Sequence, residues 1–331
     1  MNDKFDNLLA ACSEMNFGAV DLSNGQKAFC TDLNDEIFSL CRSMPESTQT
    51  DALLFFMQYL RTSLGKELNF LKYFYAPAWS IIYWLVQPGA TPQELELIDI
   101  GNAKTAHTMA MLLHALDDHL CDGEIPVTHL ALLLRSQSWM VMYEAFNRLG
   151  EAVNGGNKII QEFINDYYSS IRSSQEINSL DAYCELFRKQ MATWLIVPVL
   201  MSEKMSPGDE FGEAIRSAFG SFGIAWRLLD DLKDIEIDMV KGVHSAVYVC
   251  LSKESKKAWG RDAVEKADEN SDYRKIIFDA VLENDIIGKI KKRICSELDS
   301  AAGAADRFNL TGLANEYRSL VRPLRVQQNL L

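Results

Sequence analysis

Two short acidic strings hold the residues of this chain best suited to chemistry. The first runs Asp117, Asp118, His119, Leu120, Cys121, Asp122 and on to Glu124, directly after the apolar stretch 109–116. The second runs Asp230, Asp231, Leu232, Lys233, Asp234, Ile235, Glu236, Ile237, Asp238, directly after 222–229. On a helix, positions four apart share a face, which stacks Asp118 over Asp122 and Asp230 over Asp234 and Asp238. Each like-charge pair so stacked costs roughly a few tenths of a kcal/mol, and both strings fall toward helix C-termini, the unfavourable end of the dipole for anions. A bound cation offsets that cost. Mg²⁺ suits it, because it takes carboxylate oxygens and waters and completes its octahedron with substrate phosphate oxygens. Two such helix ends facing one another across a cavity would hold a small group of Mg²⁺ ions and, through them, a diphosphate.

Acidic helix ends are common on any chain with 46 acidic against 33 basic residues and a net charge of −13. What sets these two apart is the apolar approach, which makes both helices core elements whose carboxylates emerge at a cavity mouth. The supporting pattern is helical throughout. Phe211, Ile215, Phe219, Phe222, Trp226 and Leu229 step by three and four along one face of a long helix. Strand signals are weak and confined to 243–251, where no partner strand is evident. Loops are expected at 18–25, 43–48, 87–91, 123–126, 154–157, 206–208 and 302–303. The expected architecture is all-α, a single-domain helical bundle over residues 46–331, with 1–45 an N-terminal extension or accessory helices. The aromatic stretch 73–86, interrupted by Pro77, is too short for a bilayer span and reads as a buried helix or the wall of an apolar pocket.

Composition removes several alternatives. An apolar share of 48% with 24% charged residues is globular, and the acidic surface opposes nucleic-acid binding. No leader with a basic start and an apolar run is present, and the seven cysteines are scattered without CxxC spacing, so free thiols in a reducing cytoplasm are expected. The five histidines form no HExxH, and GxSxG, GxxxxGK[ST] and GxGxxG are all missing. His114 and His119 flank Asp117 and could partner its carboxylate neighbours, but a lone histidine near a helix end is more often merely hydrogen-bonded.

The two strings together resemble the isoprenoid synthase superfamily, the fold of trans-prenyltransferases and class I terpene cyclases. Asp117-Asp118-His-Leu-Cys-Asp122 is similar to the first aspartate-rich motif. Gly223-Ile-Ala-Trp226-Arg227-Leu-Leu-Asp230-Asp231-Leu-Lys-Asp234 is similar to the second, usually GxxFQxxDDxxD, with Trp226 in place of Phe and Arg227 in place of Gln. Asp238-Met-Val-Lys241-Gly242 resembles the continuation of that motif, and Phe187-Arg188-Lys189-Gln190 falls where the family has a diphosphate-binding Lys-Thr pair. The resemblance implies metal ligation by Asp117, Asp118, Asp122, Asp230, Asp231 and Asp234, with Asp117, Asp118, Asp230 and Asp231 central to catalysis. It implies three Mg²⁺ ions with diphosphate bound, diphosphate contacts from Lys189, Lys241, Arg188 and Arg227, a carbocation wall including Phe222 and Trp226, and a homodimer. Arg135 and Lys233 are weaker candidates, expected to pair with neighbouring acids.

The chain departs from chain-elongating members in two places. Gly123-Glu124-Ile125-Pro126 follows the first motif where they carry an Arg-Arg pair, and Leu64-Gly65-Lys66-Glu67 stands where they carry Gly-Gly-Lys-Arg. Binding a second, non-ionising diphosphate is therefore disfavoured. The leading expectation is a Mg²⁺-dependent class I terpene synthase acting on a linear prenyl diphosphate. The alternatives are a prenyltransferase coupling an allylic chain to another acceptor, with altered motifs as in moenocinol-type synthases, or a catalytically silent prenyl synthase-like subunit.

Overall fold

Helices form wherever the apolar residues recur at helical spacing, and side-chain caps mark several of their starts. The computed structural model describes residues 2–63, 66, 68–87, 95–172, 177–208, 210–260 and 273–326. In chain order the helices are α1 (Asn2–Ser13), α2 (Asn24–Ser43), α3 (Glu46–Tyr59), α4 (Pro77–Leu85), α5 (Leu97–Cys121), α6 (His129–Glu151), α7 (Gly156–Ile171) and α8 (Leu180–Gln190). There follow α9 (Ala192–Met205), α10 (Glu210–Lys233), α11 (Ile235–Lys241), α12 (Ala246–Cys250), α13 (Tyr273–Glu283), α14 (Ile286–Arg307) and α15 (Thr311–Val326). No strand occurs among the described residues. Ser23 and Gln26 close a capping box on α2, and Thr128 and Ser179 cap α6 and α8 by accepting from Ala131 and Ala182.

Two local expectations are corrected. The β-branched run at 243–251 contains α12, whose Ala246, Val247 and Val249 are buried. Burial on a helical face overrides strand propensity there. The stretch 302–303 is not a loop: it lies inside α14, where Gly303 has open space around its missing side chain and so costs the helix only backbone entropy.

Helices α4 and α9 and the middle of α5 are buried nearly all round, which makes them the centre of the bundle. The amphipathic α6, α7 and α15 pack about them, with α5 lying along α6, and α14 packs against α10 and α15. Leu33, Ile37 and Leu40 of α2 belong to the same hydrophobic core, so part of the 1–45 segment contributes to it. The C-terminal arginines lie on the surface, Arg318 paired with Asp306 and Arg325 with Asp299. Among the string 64–67, Leu64, Gly65 and Glu67 lie outside the described residues, as does most of the 87–91 loop. No disulfide joins any of the seven cysteines, and no described helix is long and apolar enough to cross a membrane.

One buried carboxylate ties three elements together away from both acidic strings. Glu316 of α15 accepts from Gln26 Nε2 of α2 at 2.6 Å, from Trp84 Nε1 of α4 at 2.7 Å, and from Ser80 Oγ of α4. Burial pushes its carboxyl upward while these three donors pull it back. Removing the acceptor strands its donors, so Glu316→Ala is expected to lower stability by about 3 kcal/mol or more, and Glu316→Gln by less. A shift of the urea midpoint at unchanged m value measures it.

Candidate active site

The C-terminal part of α5 and of α10 open onto one hollow of about 1050 Å³. Its mouth is lined by Asp117 and Asp118 from α5 and by Asp230 and Lys233 from α10. The two strings thus meet across a shared cavity. Electrostatics records the meeting too: the Asp230 carboxyl is pushed up to about 6 by desolvation, with Arg227 opposing and the negative charges of Asp234, Asp231 and Asp118 adding to the rise.

Aromatic residues form the wall. Trp226 stands at their centre, with ring centroids 5.4 Å from Trp194, 5.7 Å from Phe74, and 6.2 Å from both Tyr75 and Phe222. Phe70 continues the wall from Phe74, and Tyr59 stacks behind Phe70. Such ring faces stabilise a passing cation, and their bulk keeps water out. Phe222 itself does not reach the cavity: it is fully buried behind Trp226, against Tyr317. Gly223 lets this wall close, because a Cβ there would meet Met191 Sδ at 2.0 Å, and Met191 lines the hollow from the α8–α9 junction.

The carboxylates divide into two kinds. Asp117 is held by Arg135 of α6, Nε to Oδ1 at 2.7 Å and an NH2 to Oδ2 at 3.0 Å. Asp231 is 1% exposed and lies off the cavity, in an ion pair with Arg227 Nε at 3.0 Å, while its other oxygen accepts from the Ala246 N–H at 2.8 Å. Asp118 and Asp230 face the mouth without such a clamp; Arg227 comes only to 3.9 Å of Asp230. Asp122 and Asp234 do not line the cavity.

The expected cations are arranged differently from what the resemblance implies. Arg227 does line the hollow, over the ring of Phe187, and donates to the Tyr183 hydroxyl at 3.0 Å. Burial works against its charge, yet Asp231 and Tyr183 hold its pKa above the ordinary value. Arg188 pairs with Glu185, and neither it nor the exposed Lys189 and Lys241 lines the cavity. The helical register turns all three away. The two weaker candidates, Arg135 and Lys233, do line it, and so does Arg61, which the sequence did not single out. Arg61 follows α3 with a left-handed φ of 48°, a strained conformation for a side-chain-bearing residue. Nothing local in the sequence marks Arg61, Tyr59 or Tyr167 as cavity residues; only the fold brings them there, whereas Phe187 and Gln190, the outer residues of the 187–190 string, do line it. Both histidines line the hollow: His114 lies edge-on to Trp194 at 4.8 Å with its pKa lowered by burial, and His119 lies 5.2 Å from the Tyr59 ring and 3.5 Å from Glu124.

The donor set suits a hard divalent ion. Asp118 and Asp230 offer oxygen ligands only, from two helices, and their charges repel until a cation arrives. Among the described residues no three acidic, histidine or cysteine side chains make a protein-only cage. Mg²⁺ fits that condition, being ordinarily held by one or two carboxylates plus waters and substrate phosphates.

No family model matches the chain, and no curated protein matches it in sequence. Solved structures do match in fold. Geranylgeranyl pyrophosphate synthase from Corynebacterium glutamicum is 12% identical with a TM-score of 0.62, covering 96% of this chain and 98% of its own. Heptaprenyl diphosphate synthase from Staphylococcus aureus is 13% identical at a TM-score of 0.61, covering 92% and 98%. A polyprenyl synthase from Caulobacter crescentus, solved with calcium and isoprenyl diphosphate, is 13% identical at 0.60, covering 95% and 97%. The chain has the isoprenoid synthase fold over nearly its whole length.

Proposed function

We propose that this protein is a prenyltransferase: it binds a linear allylic prenyl diphosphate at the carboxylate mouth, breaks the carbon–oxygen bond to the diphosphate, and joins the prenyl group to an acceptor in the same hollow. The observation carrying this reading is that Asp117 and Asp118 of α5 and Asp230 of α10 line one cavity whose wall is Phe74, Trp194 and Trp226. Mg²⁺ bound there supplies Lewis-acid stabilisation of the leaving diphosphate. The aromatic wall shelters the allylic cation, and Lys233 and Arg61 offer charge to anionic groups at the mouth. Three Mg²⁺ ions, a homodimer and a cytoplasmic setting belong to the same proposal.

Cyclisation by a class I terpene synthase, the leading expectation from sequence, becomes the second reading. The fold neighbours named above are all prenyl diphosphate synthases, which supports transfer. The missing arginine pair after Asp122 favours cyclisation. Incubation with geranyl, farnesyl and geranylgeranyl diphosphates in Mg²⁺, with and without isopentenyl diphosphate, separates them. Transfer gives a product only when a second substrate is present. A cyclic hydrocarbon or alcohol from one allylic diphosphate alone would establish cyclisation, and no diphosphate release under any condition would overturn both.

A further inference from the structure

The sequence lacks an arginine pair directly after Asp122, yet an arginine stands beside the first acidic string all the same. Arg135 comes from the neighbouring helix α6 and lines the cavity next to Asp117 and Asp118. Its fork engages both Asp117 oxygens at once, so a metal ion approaching this carboxylate meets a guanidinium charge and only the lone pairs that the fork leaves free. The pair is not sealed in the core: the arginine side chain is 34% exposed and the aspartate 24%, both at the cavity mouth. The guanidinium also lies 5.9 Å from the ring of Trp139, on its own helix, which gives it a second support when it lets go of the carboxylate.

We propose that Arg135 is an anion-operated latch: it masks Asp117 while the mouth holds no diphosphate, and swings to the diphosphate when that ligand enters, freeing Asp117 for a divalent ion. The inference rests on the mouth being a diphosphate site, as proposed above. A diphosphate presents the same paired oxygens as a carboxylate with more negative charge, so the fork exchanges one for the other without new geometry. The latch couples the two ligands. Diphosphate improves metal binding by uncovering Asp117, and metal improves diphosphate binding by the same factor. It also keeps Asp117 neutralised beside Asp118 and opposite Asp230 when the mouth is empty.

Calorimetric titration of the full chain tests this with two probes, Mn²⁺ alone and a preformed Mg²⁺–inorganic diphosphate complex. Arg135→Gln is expected to bind Mn²⁺ alone about tenfold more tightly, since one screened positive charge has left the mouth and Asp117 is uncovered. The same variant is expected to bind the Mg²⁺–diphosphate complex about tenfold more weakly. A merely structural arginine would weaken both. Arg135→Lys keeps the charge but loses the fork, and is expected to fall between wild type and Arg135→Gln on both axes; it carries the test if the glutamine variant fails to fold. Unchanged or weakened Mn²⁺ binding, or unchanged diphosphate binding, in a folded variant overturns the latch alone. Wild-type protein that takes up neither probe overturns the diphosphate site and the latch together.

Discussion

Asp230→Asn is expected to lower turnover of an allylic prenyl diphosphate about a thousandfold while raising the melting temperature of the metal-free protein. The two effects have one cause. Asp230 stands at the mouth with its carboxyl pushed up to about 6, first by desolvation and then by the charges of Asp234, Asp231 and Asp118, against the pull of Arg227. A group whose charge is disfavoured in the folded state weakens that state whenever it is ionised. The isosteric amide removes the repulsion and with it the oxygen charge that a divalent ion requires. Asp118→Asn, on the facing helix, is expected to lose turnover to a similar degree. Asp122→Asn, whose side chain is off the cavity, is expected to lose less than about tenfold. Diphosphate release measured in a single turnover, with scanning calorimetry in the presence and absence of Mg²⁺, reads both quantities. Release by Asp230→Asn at the wild-type rate would remove the Asp230 carboxylate from the chemistry.

The two acidic strings were legible because stacked like charges at a helix end are costly and need a reason. The length of α10 was legible because its apolar residues keep step from Phe211 to Leu229, and that step carries Trp226 onto the cavity wall one turn before Asp230. The same periodicity does not distinguish wall from core, so it gives no sign that Phe222 lies behind Trp226. Pairings across helices were not legible. Arg135 meets Asp117 only because α5 and α6 pack with those faces together, and Asp231 turns inward because the Ala246 N–H and Arg227 wait for it there. Motif resemblance treats the aspartates of each string alike. The structure gives one of each adjacent pair to an arginine and leaves the other unclamped at the mouth. Lys189 and Lys241 were placed by resemblance alone, and helical register sends them elsewhere. Arg61 is beyond any local pattern, since its place depends on a single left-handed backbone turn after α3.

Arg227→Ala is expected to destabilise the protein by about 3–5 kcal/mol, the cost of leaving a buried charge without its partner. Asp231 is 1% exposed, and Arg227 is the cation beside it. The Ala246 N–H satisfies one oxygen and ties α10 to α12, but it carries no charge to balance the carboxylate. Removing both partners should cost less than removing the arginine alone, so the double variant Arg227→Ala/Asp231→Ala is expected to recover part of the loss, and the double-mutant cycle isolates the pair. Arg227→Gln is the informative intermediate, because glutamine is what the resembling motif carries at this place. Glutamine can still meet the Tyr183 hydroxyl, but it leaves the Asp231 charge unbalanced, and a divalent ion at the mouth becomes the nearest cation able to compensate it. Mg²⁺ should therefore raise the melting temperature of Arg227→Gln more than that of wild type. Equal Mg²⁺ shifts in the two proteins would mean that Asp231 is balanced by something other than Arg227. A double variant no more stable than Arg227→Ala would mean that the arginine holds α10 by packing against Phe187 and Tyr183, with its charge incidental.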